Sequence, residues 1–201
     1  MLEQVTTAAV AFDARPGEVA GNLERISEWC RRAAKAGAQL VLFPELSLSG
    51  FMPNHPAGDH AKWLEQVLRA AWRGAEPMDG RAVAALAEIS RETGVHLAAG
   101  MLEPAGNVLY NTHVLVGEGR VLGQWRKMHI PLFEMQVYNG GGPAEVVETA
   151  LGRIGVNICF DTFLPESTRL LGVQNAEIGL FPFAADRSEE HTSELQSPCN
   201  L

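Results

Sequence analysis

Short, nearly continuous apolar runs alternate along the chain with segments whose apolar residues recur every three or four positions. "TTAAVAF" and "AQLVLFPE" have the length and composition of buried strands. Between them, Val19, Leu23, Ile26, Cys30, Ala33 and Ala34 form one helical stripe, with the turn "ARPGEVAGN" before it and Gly37 as its stop. This predicts a β-α-β unit in which Cys30 faces the core. The polar and aromatic stretch from Asn54 to Gly80 reads as an inserted loop and helix. A further helix is predicted from Asp79 to Thr93, with Val83, Leu86 and Ile89 on one face and Gly94 at its end. "VHLAAGMLE", "VLYNTHVLVG" and "RVLGQWRK" then read as consecutive strands, the last two joined by a turn at Glu118 and Gly119. Strands at "AEVVET", "GRIGVNI" and "AEIGLFPFA" follow, with a helix near 165–173. Strands interleaved with helices, plus a hairpin series, predict a layered α/β domain with helices covering the sheets.

Composition narrows the function classes. With 201 residues, 46% of them hydrophobic, the chain can build one ordinary domain with a sizeable core. A formal net charge of -8 without a dense Lys/Arg cluster provides no footprint for nucleic acid or an acidic membrane surface, and leaves small neutral or cationic partners. The three cysteines, at 30, 159 and 199, show neither a disulfide framework nor a zinc-ligand spacing. His55, His60, His96 and His113 likewise lack a metal-binding spacing, and "NGGGP" at 139–143 lacks the Lys-Ser/Thr and helix of a phosphate loop. "MLEQVTTAAV" has no basic n-region, and no apolar run is long enough to span a bilayer, so the chain reads as soluble and cytoplasmic.

Candidate chemistry lies at three strand ends. "LVLFPE", "GQWRKMHIP" and "GVNICFD" each finish an apolar or alternating run on one reactive group: Glu45, Lys127 and Cys159. A thiol with an ordinary pKa is only a few per cent thiolate at neutral pH, so it needs a base or a cation beside it to attack a carbonyl. Glu45 can serve as that base and Lys127 as that cation. An ammonium and the backbone N–H after the nucleophile, here that of Phe160, can stabilise the oxyanion of acyl transfer.

These three stretches, in this order, resemble the Glu, Lys and Cys motifs of the nitrilase superfamily, the carbon-nitrogen hydrolases. The likeness runs from the first strand to about Ala185. The resemblance implies an α/β fold of the αββα sandwich type. It also implies hydrolysis of a non-peptide C–N bond through a cysteine thioester, with no metal or organic cofactor. Its partners would be a small amide or N-carbamoyl substrate and water, and a full-length protein would be a homo-oligomer. A second glutamate that positions lysine and substrate in many members has a matching place in Glu134 of "KMHIPLFEMQVYNGG". In the implied mechanism Glu45 takes the Cys159 proton, and Lys127 with the Phe160 N–H holds the oxyanion. Removing Lys127 is expected to slow the reaction without loss of the fold. Asp161, Glu166 and Arg169 read as turn and ion-pair residues, and His129 as structural or pocket-lining. Nitrile-specific members resemble Cys-Trp-Glu at the nucleophile, whereas this chain has Cys-Phe-Asp. Amide or carbamoyl hydrolysis is therefore favoured, with nitrile hydrolysis as the alternative.

After "FPFAAD" the patterning stops. "RSEEHTSELQSPCNL" is polar and unperiodic, and "RSEEHTSELQS" resembles the translation of a sequencing-library adapter. Residues 1–186 thus read as the N-terminal portion of a carbon-nitrogen hydrolase domain and 187–201 as a non-native disordered tail. Family members continue with further strands and helices, so the sandwich is expected to be incomplete. An inactive fragment carrying the reactive residue types is the second functional reading.

Overall fold

A computed structural model describes residues 4–50, 59–132 and 134–184. Five strands form one sheet in chain order: β1 (Thr7–Ala9), β2 (Leu40–Leu42), β3 (His96–Ala105), β4 (Val108–Gly117) and β5 (Arg120–Arg126). β1, β2 and β3 run parallel, whereas β3, β4 and β5 form an antiparallel meander. A second sheet contains β6 (Val147–Thr149), β7 (Gly152–Val156) and β8 (Ile178–Leu180), with β6 antiparallel and β8 parallel to β7. The helices are α1 (Val19–Lys35), α2 (His60–Gly74), α3 (Arg81–Thr93) and α4 (Pro165–Val173).

Strand side chains alternate between faces, and here both faces of the larger sheet are covered. Val41, Leu97, Ala99, Val114 and Val116 pack against Ile26, Cys30 and Ala33 of α1 and Val83, Leu86 and Ile89 of α3. Their neighbours Leu40, Ala98 and Leu115, with Trp125, pack against Ile154, Val156 and Leu180 of the smaller sheet. That double burial is why the strand segments read as continuous apolar runs. Gly155 faces the opposite way from Ile154 and Val156, and a Cβ there would lie 2.8 Å from the Leu171 side chain of α4. α4 therefore covers the outer face of the smaller sheet. The layers run helix, sheet, sheet, helix: the αββα sandwich that the resemblance implied. α2 closes one end through Val67 and Ala71, which meet Leu46, Leu102, Leu109, Ile130 and Tyr138.

The predicted elements appear in order, with shorter strands at several places. "TTAAVAF" and "AQLVLFPE" yield only Thr7–Ala9 and Leu40–Leu42, because the chain leaves the sheet there to build loops at its carboxyl edge. The hairpin turn lies where expected; Glu118 at φ 55 and Gly119 at φ 75 give the two positive φ values that match the strands' twist. α3 begins at Arg81 with Gly80 as N-cap, two residues later than the Asp79 of the sequence pattern. The 187–201 segment and the boundary at Asp186 lie outside the described residues. Among the described residues no helix is long and apolar enough to cross a membrane.

His113 shares the inter-sheet face of Leu115 and sits opposite Gly100 on β3. It is fully buried, and this burial pulls its pKa down to about 3. The folded ring stays neutral where the unfolded one takes up a proton. Its contribution to stability is complete above about pH 6.5 and is lost as pH falls towards 3, by about 1.4 kcal/mol per pH unit. Urea unfolding of the wild type and His113→Leu between pH 7.5 and 4.5 is expected to show this slope difference, with the wild type the steeper. Equal slopes would mean that the imidazole is reached by protons in the folded chain.

Candidate active site

The segment after β2 is laid across β3 by a side-chain ladder. The N–H groups of Gly100 and Leu102 donate to the hydroxyls of Ser47 (3.0 Å) and Ser49 (2.8 Å), and the Leu48 N–H donates to the Gly100 carbonyl at 2.8 Å. Only glycine fits at 100: an added Cβ would stand 2.3 Å from the Leu46 nitrogen and 3.0 Å from the Glu45 carbonyl carbon. This close crossing sends the Glu45 side chain into the interior, where it is 1% exposed.

At the end of β5 the pleat separates two adjacent cations. Arg126 turns to the face where Glu103 accepts from its Nε at 2.9 Å and its Nη2 at 2.6 Å, with the Tyr110 ring 3.9 Å beneath the guanidinium. Lys127, its backbone N–H bound to the Asn111 carbonyl at 2.8 Å, turns inward and is fully buried. Its Nζ lies 2.8 Å from Glu45 Oε1 and 2.8 Å from Glu134 Oε2. Glu134 comes from the turn after Pro131, whose carbonyl accepts its N–H at 2.8 Å, and the Tyr138 hydroxyl donates to its carboxylate. Asn111 Nδ2 donates to Glu45 Oε1 at 2.7 Å, and the Ala184 N–H donates to Glu45 Oε2 at 3.1 Å.

Cys159 follows β7 and opens a single-turn 3-10 helix, Cys159–Phe163. Its φ of 48 is left-handed, a conformation that costs a non-glycine residue about 1–2 kcal/mol. Its N–H is held by the Pro182 carbonyl at 2.9 Å, and its thiol lies within the fields of Glu45, Lys127 and Glu134. Phe160 occupies the first turn of this helix, where backbone N–H groups have no partner within the helix. The five residues singled out in the sequence therefore converge: Glu45 and Glu134 bind Lys127, the Cys159 thiol lies within the fields of all three, and Phe160 is next to Cys159.

The charges act on one another. Burial alone would lower the pKa of Lys127, but the fields of Glu45 and Glu134 outweigh it and hold the ammonium protonated. Glu134 is raised, chiefly by burial and further by Glu45, against the lowering by Lys127. Burial and then Glu45 push the Cys159 thiol up, with Lys127 opposing them, so the resting form is a neutral thiol beside a carboxylate. Such an arrangement can abstract a thiol proton as the sulfur attacks and can present an ammonium to a developing oxyanion. Cys30 is different: burial raises its thiol to about 12, and it lies in the helix-facing core. Among the described residues no group of three or more His, Cys, Asp or Glu is placed to hold a metal ion.

Three further site residues were not picked out from the sequence: Asn111, Tyr138 and the Ala184 backbone. Asn111 had a readable signal, as a polar residue on the same strand face as His113 and Leu115. Asp161, read as a turn residue, does lie in the turn but is 1% exposed and bonded to the Lys127 side of the site as well as its own. The Ala184 contact arises from the segment after β8, 139 residues away in sequence, and had none.

A doubly covered pair of sheets thus gathers a thiol, an ammonium and two carboxylates near its strand ends. The family model for carbon-nitrogen hydrolases matches residues 6–198, and the chain belongs to that family. It is 33% identical over 162 residues to a nitrilase of Pyrococcus abyssi, covering 80% of this chain and 58% of that protein. With a citrullinase of Francisella tularensis it shares 29% over 201 residues, covering 96% of this chain and 65% of the relative. The chain thus spans less than two thirds of either curated relative. A solved amidase from Nesterenkonia sp. superposes with a TM-score of 0.73 at 26% identity, over 92% of this chain and 67% of that one. Another structure of that amidase, with TM-score 0.73 and 25% identity over 92% of this chain and 67% of that one, shows covalent addition of the acetamide moiety of fluoroacetamide at its active-site cysteine.

The ion-paired burial of Lys127 changes one expectation. Removing this ammonium leaves two buried carboxylates facing each other, so the fold as well as the rate must suffer. Lys127→Met is expected to lose about 3–5 kcal/mol of stability. Lys127→Met combined with Glu134→Gln should lose less than the two single substitutions added together. Urea unfolding of the four species checks this, and simple additivity would mean that the pair is not coupled.

Proposed function

We propose that the chain hydrolyses the C–N bond of a small amide or N-carbamoyl compound through a thioester at Cys159. The observation that carries the reading is the shared carboxylate: Glu45 binds the Lys127 ammonium at 2.8 Å and is, after burial, the strongest influence on the Cys159 thiol. Glu45 takes the thiol proton as sulfur attacks the carbonyl carbon, and Lys127 Nζ with the Phe160 N–H receives the oxyanion. Collapse breaks the C–N bond, and Glu45 returns the proton to the leaving nitrogen. Glu45 next takes a proton from water as its oxygen attacks the thioester; breakage of the C–S bond releases the acid and restores the thiol. Glu134, held by Tyr138, fixes Lys127 and the substrate amide and does not react. The raised thiol supports proton removal during attack, not a standing thiolate. The adduct on a variant of the Nesterenkonia amidase, a thioether to the acetamide moiety, supports the cysteine as the nucleophile of such a site.

Nitrile hydrolysis is the second reading, favoured by the name of the Pyrococcus abyssi relative. An inactive fragment is the third. We further infer that residues 1–186 form the N-terminal portion of the hydrolase domain, that 187–201 are a non-native tail that adds nothing to it, and that the full-length protein is a cytoplasmic homo-oligomer.

Ammonia release from small amides, N-carbamoyl amines and nitriles, followed with intact-protein mass spectrometry, separates these readings. Amide or carbamoyl turnover with a transient acyl mass on Cys159 is expected, lost in Cys159→Ala and retained in Cys30→Ala. Undiminished turnover by Cys159→Ala would end the assignment, and nitrile-only turnover would select the second reading. A wild-type chain with neither turnover nor adduct would select the third. Deleting 187–201 should change none of these results.

A further inference from the structure

One buried carboxylate outside the reacting set touches both halves of the site. Asp161 Oδ1 accepts the His129 N–H at 2.8 Å and contacts His129 Nδ1 at 2.9 Å. Asp161 Oδ2 accepts the Met128 N–H at 3.2 Å and the Ile158 N–H at 3.2 Å. Met128 directly follows Lys127, and Ile158 directly precedes Cys159. The two strand ends belong to different sheets, β5 to one and β7 to the other. Sheet-on-sheet packing by apolar side chains is non-directional and leaves their relative sliding weakly specified. Directional hydrogen bonds to a shared acceptor specify it.

A second observation makes this positioning necessary. Cys159 is held at φ 48, an unfavourable conformation for a residue with a Cβ, and such a conformation persists only where the surroundings over-determine it. The Pro182 carbonyl restrains the Cys159 N–H from one side of the turn. Asp161 restrains the preceding N–H from the other.

We propose that Asp161 is a positioning residue that fixes the separation of Cys159 and Lys127 by clamping the backbone beside each of them. The proposal rests on the reading of Cys159 and Lys127 given above, but its central test does not need turnover. Asn at 161 keeps the shape but offers one acceptor oxygen and an NH2 group, which cannot accept from an N–H. With that oxygen at the Oδ2 position the His129 N–H is left without its acceptor, and with it at the Oδ1 position the Met128 and Ile158 N–H groups are, so the clamp is weakened in either orientation. The turn then relaxes and the sulfur moves away from Glu45, Glu134 and Lys127 towards solvent.

The experiment uses the full chain, with Asp161→Asn compared to wild type. Iodoacetamide alkylation of Cys159 is followed against pH by peptide mapping, with core-facing Cys30 as the control. The Cys159 midpoint is expected to fall in Asp161→Asn, because burial and Glu45 are what hold it up, while Cys30 stays unreactive. Where amide turnover is measurable, kcat should fall about 10²-fold, the scale of a 1 Å misplacement, with KM within about twofold. An unchanged Cys159 midpoint, an unchanged kcat, or Cys30 becoming reactive in step with Cys159 would overturn the proposal in favour of a general structural role. If Asp161→Asn does not fold, Asp161→Ser carries the same readouts, since its hydroxyl is too short to reach both backbones. A wild-type chain without turnover but with the alkylation shift would sink the hydrolase reading and leave the clamp standing.

Discussion

A primary ammonium with no exposed surface, held between two carboxylates at 2.8 Å each, is the constraint on which the other parts of the site depend. Taking a lysine out of water costs several kcal/mol, which only close, well-oriented counter-charges can offset. Glu45 and Glu134 must therefore be delivered to within hydrogen-bond distance of one point by segments far apart in the chain. Two carboxylates around one cation leave an excess negative charge, and the structure accommodates it by hydrogen bonding: Asn111 and the Ala184 N–H on Glu45, Tyr138 on Glu134. Burial, reinforced by Glu45, keeps the neighbouring thiol protonated. A single electrostatic arrangement thus determines the resting states of the lysine and the cysteine together.

The sheets make this arrangement possible through their pleat. Arg126 and Lys127 are adjacent, yet one ends in a paired cluster with Glu103 and Tyr110 and the other in the interior between the sheets. A register slip of one residue would exchange them, placing the broad guanidinium where a compact ammonium fits. Gly100 plays the corresponding part beneath Glu45, since any side chain there would collide with the backbone that carries the carboxylate. Thr112 adds to the outward cluster by donating to Glu103 at 2.7 Å, so the register of β3, β4 and β5 is secured on the face away from the site.

Much of this was legible in the sequence, for physical reasons that differ by element. The α1 and α3 stripes are amphipathic over several turns, and a helix's period depends only on its own backbone, so both could be placed closely from the residues. Short strands at Thr7–Ala9 and Leu40–Leu42 were recognisable as apolar runs, but their ends were not, because a strand ends where its partner ends. Glu45, Lys127 and Cys159 could be singled out because each closes an apolar run with a reactive group, and the Phe160 N–H because it follows the nucleophile, whereas Glu134 came from the family resemblance of those three stretches.

The sequence by itself determined the layered α/β class, the identity of the reactive groups and the core-facing position of Cys30, since these follow from local periodicity and residue chemistry. Tertiary structure alone decided that Lys127 is buried between two carboxylates and not solvated at a strand end. It also decided that Asn111 supports Glu45, and that Asp161 reaches from its own turn to the backbone after Lys127. Apart from the pair Lys127 and Glu134, seven positions apart, those contacts join residues 32 to 82 positions apart. Burial and distance across such separations are properties of packed sheets, and no window of sequence contains them.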